Sequence, residues 1–290
     1  MAARRWARDL TALLLRHCGK GRWREALAEK LHVRFFSNMP AEDNIVYARR
    51  NDGSRFRMDL RMEYLSFYLG EYEPAHLNVL LSFLPDGGTF LDVGANIGYF
   101  AVTVGNRKRK DGCRIHAFEP LPVNYGILLE NIKLNHLQGV VSSHEVALSN
   151  TGGVVTMQVI AFDTDQTANA VVLSGWEGYP HVKLRCEVPA VRFDDWIESN
   201  DLAGIDVMKI DVEGHELQVF EGMIEALRKH RPVIYAECNT SFFKKQNVTL
   251  RDVEKLLSPL GYTFHRMAGR ELVRVEPVPE YLQDVFLLPS

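Results

Sequence analysis

Long hydrophobic runs are the first thing this chain of 290 residues lacks. No stretch reaches the roughly 18 consecutive apolar residues that a bilayer-spanning helix needs, so the sequence reads as a soluble globular protein. Cysteine is scarce as well: Cys18, Cys113, Cys186 and Cys238 stand far apart with no C-x-x-C pair. They read as reduced thiols in a cytoplasmic setting rather than as a disulfide framework. A surplus of one charge is also missing. The formal net charge is -3, which gives no overall footprint for nucleic acid, a partner that asks for a strongly basic face. His136 and His144 read as surface or edge residues, since neither sits within metal-ligand spacing of another candidate ligand. There is neither an internal repeat nor a low-complexity tract.

What is there, at 46% hydrophobic and 24% charged residues, is enough for one α/β domain plus an appendage. Residues 1–34 carry Arg4, Arg5, Arg8, Arg16, Lys20, Arg22, Arg24, Lys30 and Arg34 against Asp9, Glu25 and Glu29, a basic arm of helical periodicity. Its apolar centre, Leu10 to Leu15, is too short for a signal peptide and no small-residue cleavage site follows. Two readings stay open for this arm. It is a helix packed on its own domain with a solvated basic face, or a contact for an anionic membrane or partner. Alternation from Ile45 to Leu60 then predicts a hairpin turning at Asn51-Asp52-Gly53, with helices at 62–69 and 76–84 after it.

The chemistry begins at FLDVGANIGYF, residues 90–100. A short apolar run ends on Asp92, and Gly94, Ala95, Asn96 and Gly98 follow in quick order, the pattern of strand, tight loop and helix. Glycine lets a backbone approach a ligand closely, and a helix starting near Ile97 would turn free N–H groups and its positive dipole end toward it. The spacing is G-x-x-x-G rather than the G-x-G-x-x-G of a dinucleotide site. Asp92 at the loop would repel a pyrophosphate and suit a cation. S-adenosylmethionine fits, with its sulfonium and ammonium groups. A second acid, Glu119, closes the next apolar run, where a carboxylate can hold a ribose diol.

The second dense stretch is IDVMKIDVEGHELQVFEGM, residues 205–223. Val207 to Ile210 reads as a buried strand with Asp211 leaving its carboxyl end, the edge at which open α/β sheets bind ligands. Asp211, Glu213, His215 and Glu216 crowd one turn, and Lys209, on the same strand face as Asp211, is expected to pair with a carboxylate inside. The candidate catalytic residues are His215, Asp211 and Glu213, with His215 favoured as the base and a helix-start residue bonding a neighbouring acid as its alternative. Asp211, Glu213 and Glu237 supply hard oxygen ligands for a divalent metal, but no spacing compels one, and no metal site is assigned.

LDVGANIGYF, HAFEPLPVNYGILLENIKLN, EVALSNTGG, VPAVRFDDWI and VMKIDVEGHELQVFEGM together resemble the successive motifs of the FkbM-type methyltransferases, from about Arg57 to about Glu237. The resemblance implies an α/β, Rossmann-like class I methyltransferase fold: a seven-stranded, mostly parallel sheet with helices on both faces. It divides the chain into a helical and hairpin appendage at 1–75 and a methyltransferase domain at 76–290. It also implies S-adenosyl-L-methionine as cofactor, and methyl transfer to a hydroxyl of a sugar, glycan or glycosylated natural product. Carried onto this chain, the cofactor contacts would come from Glu73, Asp92, Gly94, Ala95, Asn96, Gly98, Tyr99, Phe100, Glu119, Pro120, Leu121, Asn124, Asp211 and, around the adenine, Glu145, Val146 and Ala147. Substrate walls are expected on the long connection 161–181, between strands at 154–160 and 182–188, and on 239–246. Other readings remain: a polyketide or other small-molecule hydroxyl as acceptor, a nicotinamide oxidoreductase, or a cofactor-binding protein without turnover. The oligomeric state is not legible.

Overall fold

The computed structural model describes residues 45–59, 75–160, 169–172, 182–200 and 202–290. The basic arm, the helix expected at 62–69 and Glu73 lie outside the described residues. The predicted hairpin is present as β1 (Ile45–Arg49) and β2 (Arg55–Asp59), antiparallel around a turn in which Asp52 accepts a hydrogen bond from the Ser54 N–H. There follow α1 (Ala75–Phe83), β3 (Thr89–Val93), α2 (Tyr99–Lys108), β4 (Arg114–Phe118), α3 (Pro122–Leu134), β5 (Val141–His144) and β6 (Ala147–Leu148). Next come β7 (Gly153–Ile160), β8 (Asn169–Val172), β9 (Val182–Val191), α4 (Phe193–Asn200), β10 (Val207–Ile210), α5 (Glu216–Glu221) and α6 (Ile224–His230). The chain closes with β11 (Val233–Glu237), α7 (Thr240–Lys245), α8 (Leu250–Leu257), β12 (Tyr262–Ala268), β13 (Glu271–Arg274) and β14 (Asp284–Pro289).

The main sheet has eight strands in the order β13-β12-β14-β11-β10-β3-β4-β5. From β5 to β11 the pairs are parallel, while β14 runs antiparallel to both β11 and β12. This is the Rossmann-like arrangement, and β14 is the antiparallel last strand that the family resemblance implies for Asp284 to Leu288. The eighth strand is β13, which turns back on β12 as an antiparallel pair. Consecutive residues Phe90 and Leu91 on β3 fall into different hydrophobic clusters, one with Val102, Ile115 and Leu128, the other with Met208, Phe220 and Ile234. That is the period-two signature of a sheet buried on both faces.

Two expectations need correction. The sequence from Ser143 to Leu148 reads as one strand ending at ALSN, but it is split: β5 stays in the main sheet, and β6 leaves it to pair with β9. In the 154–191 region β7 and β9 pair as expected, but β8 lies inside the connection between them and adds to the free edge of β7, giving a second sheet of order β6-β9-β7-β8. The rest of that connection, 161–168 and 173–181, lies outside the described residues.

The hairpin, expected as part of an appendage, is built into the main core, where Val46, Ala48, Phe56 and Met58 join the same cluster as Phe90. Two asparagines one turn apart attach it, Asn131 on α3 and Asn135 at its C-terminal cap. Asn131 accepts from the Arg57 N–H and donates to the Arg57 carbonyl, and Asn135 does the same with Arg55. The two amides thus act as a surrogate neighbouring strand for β2, and Asn131 also donates to the Ile97 carbonyl in the loop before α2. Asn131→Ala is expected to destabilise the fold by about 1–3 kcal/mol, because it strands backbone groups of β2 and the Ile97 carbonyl. Urea denaturation measures the loss, and amide exchange should localise it at Arg57; unchanged protection there would mean that the hairpin is held by its apolar contacts alone.

Candidate active site

Strand β3 is buried along its whole length and delivers the chain to a loop that Gly94 makes possible. Gly94 has φ +74, and a Cβ there would lie 1.9 Å from the Asp211 carbonyl oxygen, so the β3 and β10 loops touch through backbone. The helix starts at Tyr99, two residues later than expected. Its approach does not offer a row of free N–H groups. The Phe118 carbonyl accepts from both Gly94 and Ala95, the Ala95 carbonyl accepts from Gly98, and the Asn96 N–H goes to Glu119. The first turn of α2 is tied down as well, with the Asp92 carboxylate accepting from the Ala101 N–H at 2.8 Å.

Asp92 was expected to face ligand. It does not: it is fully buried beneath the loop, 3.6 Å from the ammonium of Lys209, which is itself 4% exposed. Lys209 reaches Asp211 at 3.5 Å and donates to the Gly94 carbonyl at 2.7 Å. The expected inside partner of Lys209 is therefore present twice. Burial pushes the Asp92 carboxyl above its usual range even though the ammonium opposes it.

An open cleft lies over these loops. Ten of the residues singled out from the sequence line it: Gly94, Asn96, Glu119, Pro120, Asn124, Val146, Ala147, Asp211, Glu213 and His215. Val93, Phe118, Leu148, Met157 and Val212 complete the wall. Met157 comes from the second sheet, and no local signal in its strand marks it. Asp92, Ala95, Gly98, Tyr99, Phe100, Leu121 and Glu145 do not line the cleft. Ala95, Gly98, Phe100 and Leu121 are buried in packing, Tyr99 packs on Phe56, and Glu145 is exposed to solvent. Leu121 serves the site indirectly, by donating its N–H to Glu119.

Glu119 accepts from Asn96 at 2.8 Å on one oxygen and from Leu121 at 3.0 Å on the other. Burial, only partly offset by those two donors, pushes its pKa up to about 7. A carboxylate has about four acceptor positions, so both oxygens retain capacity for a ligand's hydroxyls. Across the cleft, Asp211 follows the last paired residue of β10, and the register continues through Glu237 on β11 to Asp284 on β14. Glu213 sits in the left-handed region at φ 54, a costly conformation for a residue with a long side chain. Burial and then the Asp211 charge raise its pKa, while for Glu237 the Asp211 charge comes first. These carboxyl groups hold protons that an isolated glutamate releases. Among the described residues, no group of three or more His, Cys, Asp and Glu side chains is arranged to hold a metal ion.

The expectation that His215 is the base is corrected by its surroundings. It is 6% exposed, burial lowers its pKa to about 4, and its Nε2 lies 2.9 Å from the Ser149 hydroxyl. An imidazole so reluctant to take a proton is a poor base at neutral pH. The loop 239–246, expected as a polar and aromatic substrate wall, is mostly helix α7, and its Phe242 and Phe243 are buried. His144 is on the edge strand as expected. It is half-buried, with its Nε2 3.2 Å from His116 Nδ1 and its ring against Trp196.

A parallel sheet whose carboxyl edge carries a glycine loop, an acid closing the second strand and an acid leaving the fourth defines a Rossmann-like methyltransferase fold. The chain belongs to the FkbM methyltransferase family: the model described as "Methyltransferase FkbM domain" matches residues 92–264. It is 30% identical over 182 residues to the hexuronic acid methyltransferase AglP of Haloferax volcanii, covering 63% of this chain and 66% of that one. It is also 30% identical over 165 residues to the 31-O-demethyl-FK506 methyltransferase FkbM of Streptomyces tacrolimicus, covering 49% of this chain and 62% of the relative. The chain thus spans just under two thirds of each relative's length. Among solved structures, a methyltransferase FkbM from Methylobacillus flagellatus KT is similar at 18% identity and a TM-score of 0.45, over 77% of this chain and 52% of that one.

Glu216 shows how the site is linked to stability. It is fully buried, and one oxygen accepts from the N–H groups of Val212 and Gly214, which shapes the turn carrying Glu213. Burial pushes its pKa from 4.5 up to about 8. A raised folded-state pKa gives stability that is complete below the unfolded value and is lost as the pH rises through the folded one. Glu216→Gln keeps an acceptor for both N–H groups and cannot ionise. Its stability relative to the parent chain should therefore improve between about pH 5 and about pH 9, by at least about 1.4 kcal/mol, the worth of one pKa unit. Thermal melts of both proteins across that range read the difference; parallel curves would mean that Glu216 titrates normally.

Proposed function

We propose that the cleft binds S-adenosylmethionine and that the chain transfers its methyl group to a hydroxyl of a sugar, glycan or glycosylated natural product. The observation that carries the cofactor reading is the lining of the cleft. Apolar walls from Phe118, Pro120, Val146, Leu148 and Met157 suit a flat ring, and the polar groups beside them are mostly acceptors. Buried Asn124 Oδ1 and His215 Nδ1 have no hydrogen-bond partner among the described residues. The adenosyl and methionine parts of the ligand are rich in donors: an exocyclic amine, a ribose diol and an ammonium. Glu119 would hold the diol, and Asp211, anchored by Lys209, would lie near the cationic part.

When bound, the donor supplies a methyl carbon made electrophilic by its sulfonium, so attack by an oxygen needs chiefly alignment. Holding two reactants in line is worth several kcal/mol. The protein's own task is then to orient an acceptor hydroxyl and receive its proton. The carboxyl groups of Asp211 and Glu213 line the cleft, and the raised pKa of Glu213 makes it a stronger base, once ionised, than an ordinary glutamate. The acceptor class is supported by AglP being named for a hexuronic acid and FkbM for the 31-O-demethyl form of FK506.

Two variants separate cofactor binding from chemistry. Glu119→Ala should weaken S-adenosylmethionine binding by about 100-fold or more, since it removes both the diol acceptor and the anchor of the Asn96 and Leu121 N–H groups; affinity within a few-fold of the parent in calorimetry would sink the cofactor assignment. Glu213→Gln should leave that affinity within a few-fold and lower kcat by about 10²–10⁴, and an unchanged kcat would move the base elsewhere. The acceptor itself is found by incubating the protein with labelled methyl donor and fractionated extract. Label in carbohydrate supports the reading, and label confined to protein or to nonglycosylated apolar metabolites overturns it.

A further inference from the structure

His215 is poorly placed to be a base, yet it is held with unusual care. Its Nε2 lies 2.9 Å from Ser149 Oγ. The Ser149 hydroxyl in turn points to Asn150 Oδ1 at 3.4 Å, and Asn150 Nδ2 donates to the exposed carboxylate of Glu221 at 2.7 Å. This last bond fixes the Asn150 amide, because only its nitrogen can donate to a carboxylate. Its oxygen therefore faces Ser149 and offers the hydroxyl proton an acceptor, which leaves Ser149 able to accept from His215. With the Ser149 proton directed to Asn150, the imidazole takes the Nε2–H tautomer and Nδ1 is a lone-pair acceptor, the arrangement that the proposal below adopts and tests. Nδ1 is buried and has no partner among the described residues, on a residue that lines the cleft.

The mounting is rigid. Ser149 is 3% exposed, and its backbone N–H is bound by the Val191 carbonyl. Gly222, next in sequence to Glu221, packs so closely that a Cβ there would lie 2.0 Å from the Ser149 carbonyl oxygen. The serine directly follows the cleft residues Val146, Ala147 and Leu148, and these supply apolar wall for a flat ring. A buried acceptor left unsatisfied costs on the order of 1–3 kcal/mol. A site that keeps one in a fixed tautomer is matched to a ligand that brings a donor.

We propose that His215 reads the nucleobase of the methyl donor, accepting at Nδ1 a hydrogen bond from the exocyclic amine of adenine, and that the Ser149, Asn150 and Glu221 chain holds the tautomer that makes this possible. The proposal rests on the cofactor reading above and gives it a base-specific element. Hypoxanthine places a carbonyl where adenine has the amine, so two acceptors would meet. A site built around a hydrogen bond discriminates strongly against an analogue that cannot make it.

The test is calorimetry of the full chain with S-adenosylhomocysteine and with its inosine counterpart. The parent protein should bind the adenine form at least about 10-fold more tightly, equivalent to about 1.4 kcal/mol. His215→Ala should reduce the preference to under about threefold chiefly by weakening the adenine form, a split that a general loss of packing would not produce. Ser149→Ala, a smaller change, should lower the preference partway by freeing the tautomer. Nitrogen-15 NMR of the parent chain should show the proton of His215 on Nε2, independent of whether either variant folds. A preference fully retained in Ser149→Ala and His215→Ala, or a proton on Nδ1, overturns the role of His215 while leaving the cofactor reading intact. A parent chain that binds neither ligand overturns both.

Discussion

The buried ammonium of Lys209 is the interaction on which the cleft depends. Three things at the carboxyl edge of the sheet would otherwise repel one another or hang loose: the Asp92 carboxylate, the Asp211 carboxylate and the Gly94 carbonyl. Lys209 touches all three. Removing a lone charge from water costs several kcal/mol, and a cation among acids recovers part of it only if the geometry is fixed. The fixing comes from the register, in which Lys209 lies directly beside Asp92 on the neighbouring parallel strand. Asp92 then spends its other oxygen on the first turn of α2. One cation thus couples strand, loop and helix, and the loop's shape follows from a charge balance beneath it.

Toward the cleft Asp211, Glu213 and Glu237 crowd one another, and the crowding appears as raised pKa values of Glu213, where burial comes first, and of Glu237, where the Asp211 charge comes first. The edge therefore has an appetite for positive charge or protons. A cationic ligand would relieve the repulsion and favour the ionised form of these carboxyl groups, the form that can take a proton from an acceptor hydroxyl. The same crowding makes the folded edge less stable as the pH rises through these raised pKa values, which ties ligand preference and pH dependence to one electrostatic cause.

Local pattern carried much of this to the reader of the sequence. The strand ending on Asp92, the glycines after it, the acid closing β4 and the pairing of Lys209 with internal carboxylates all follow from short-range rules, and with the contacts that the family resemblance implied, ten of the residues singled out line one cleft. The misses share a cause: each depends on partners far apart in sequence. The N–H groups of the glycine loop look available until the Phe118 carbonyl and Glu119 are brought against them. Ser149 and His215 are 66 positions apart, and Asn131 and Arg57 are 74. Nothing near His215 in the chain says that its ring nitrogen will be engaged by a serine. Asp92 misled for the same reason, because an acid at a strand end looks like a ligand contact until the neighbouring lysine is in register with it.

The spent N–H groups also bear on which ligand the loop can serve. A dinucleotide site works by presenting free backbone N–H groups at a helix N-terminus to a pyrophosphate. Here the N–H groups of Gly94, Ala95, Asn96, Gly98 and Ala101 are each bonded within the protein, and Asp211 and Glu213 line the cleft beside them. A diphosphate brought to this loop would lose its hydration, meet few donors in return and face carboxylates at short range. The sulfonium, ammonium and ribose hydroxyls of the proposed methyl donor would instead meet acceptors, since Glu119, Asp211 and Glu213 line the cleft. Glycine is present here to let Gly94 rest against the Asp211 backbone rather than to cradle phosphate, so the same residue type serves a different end in a loop of superficially similar sequence.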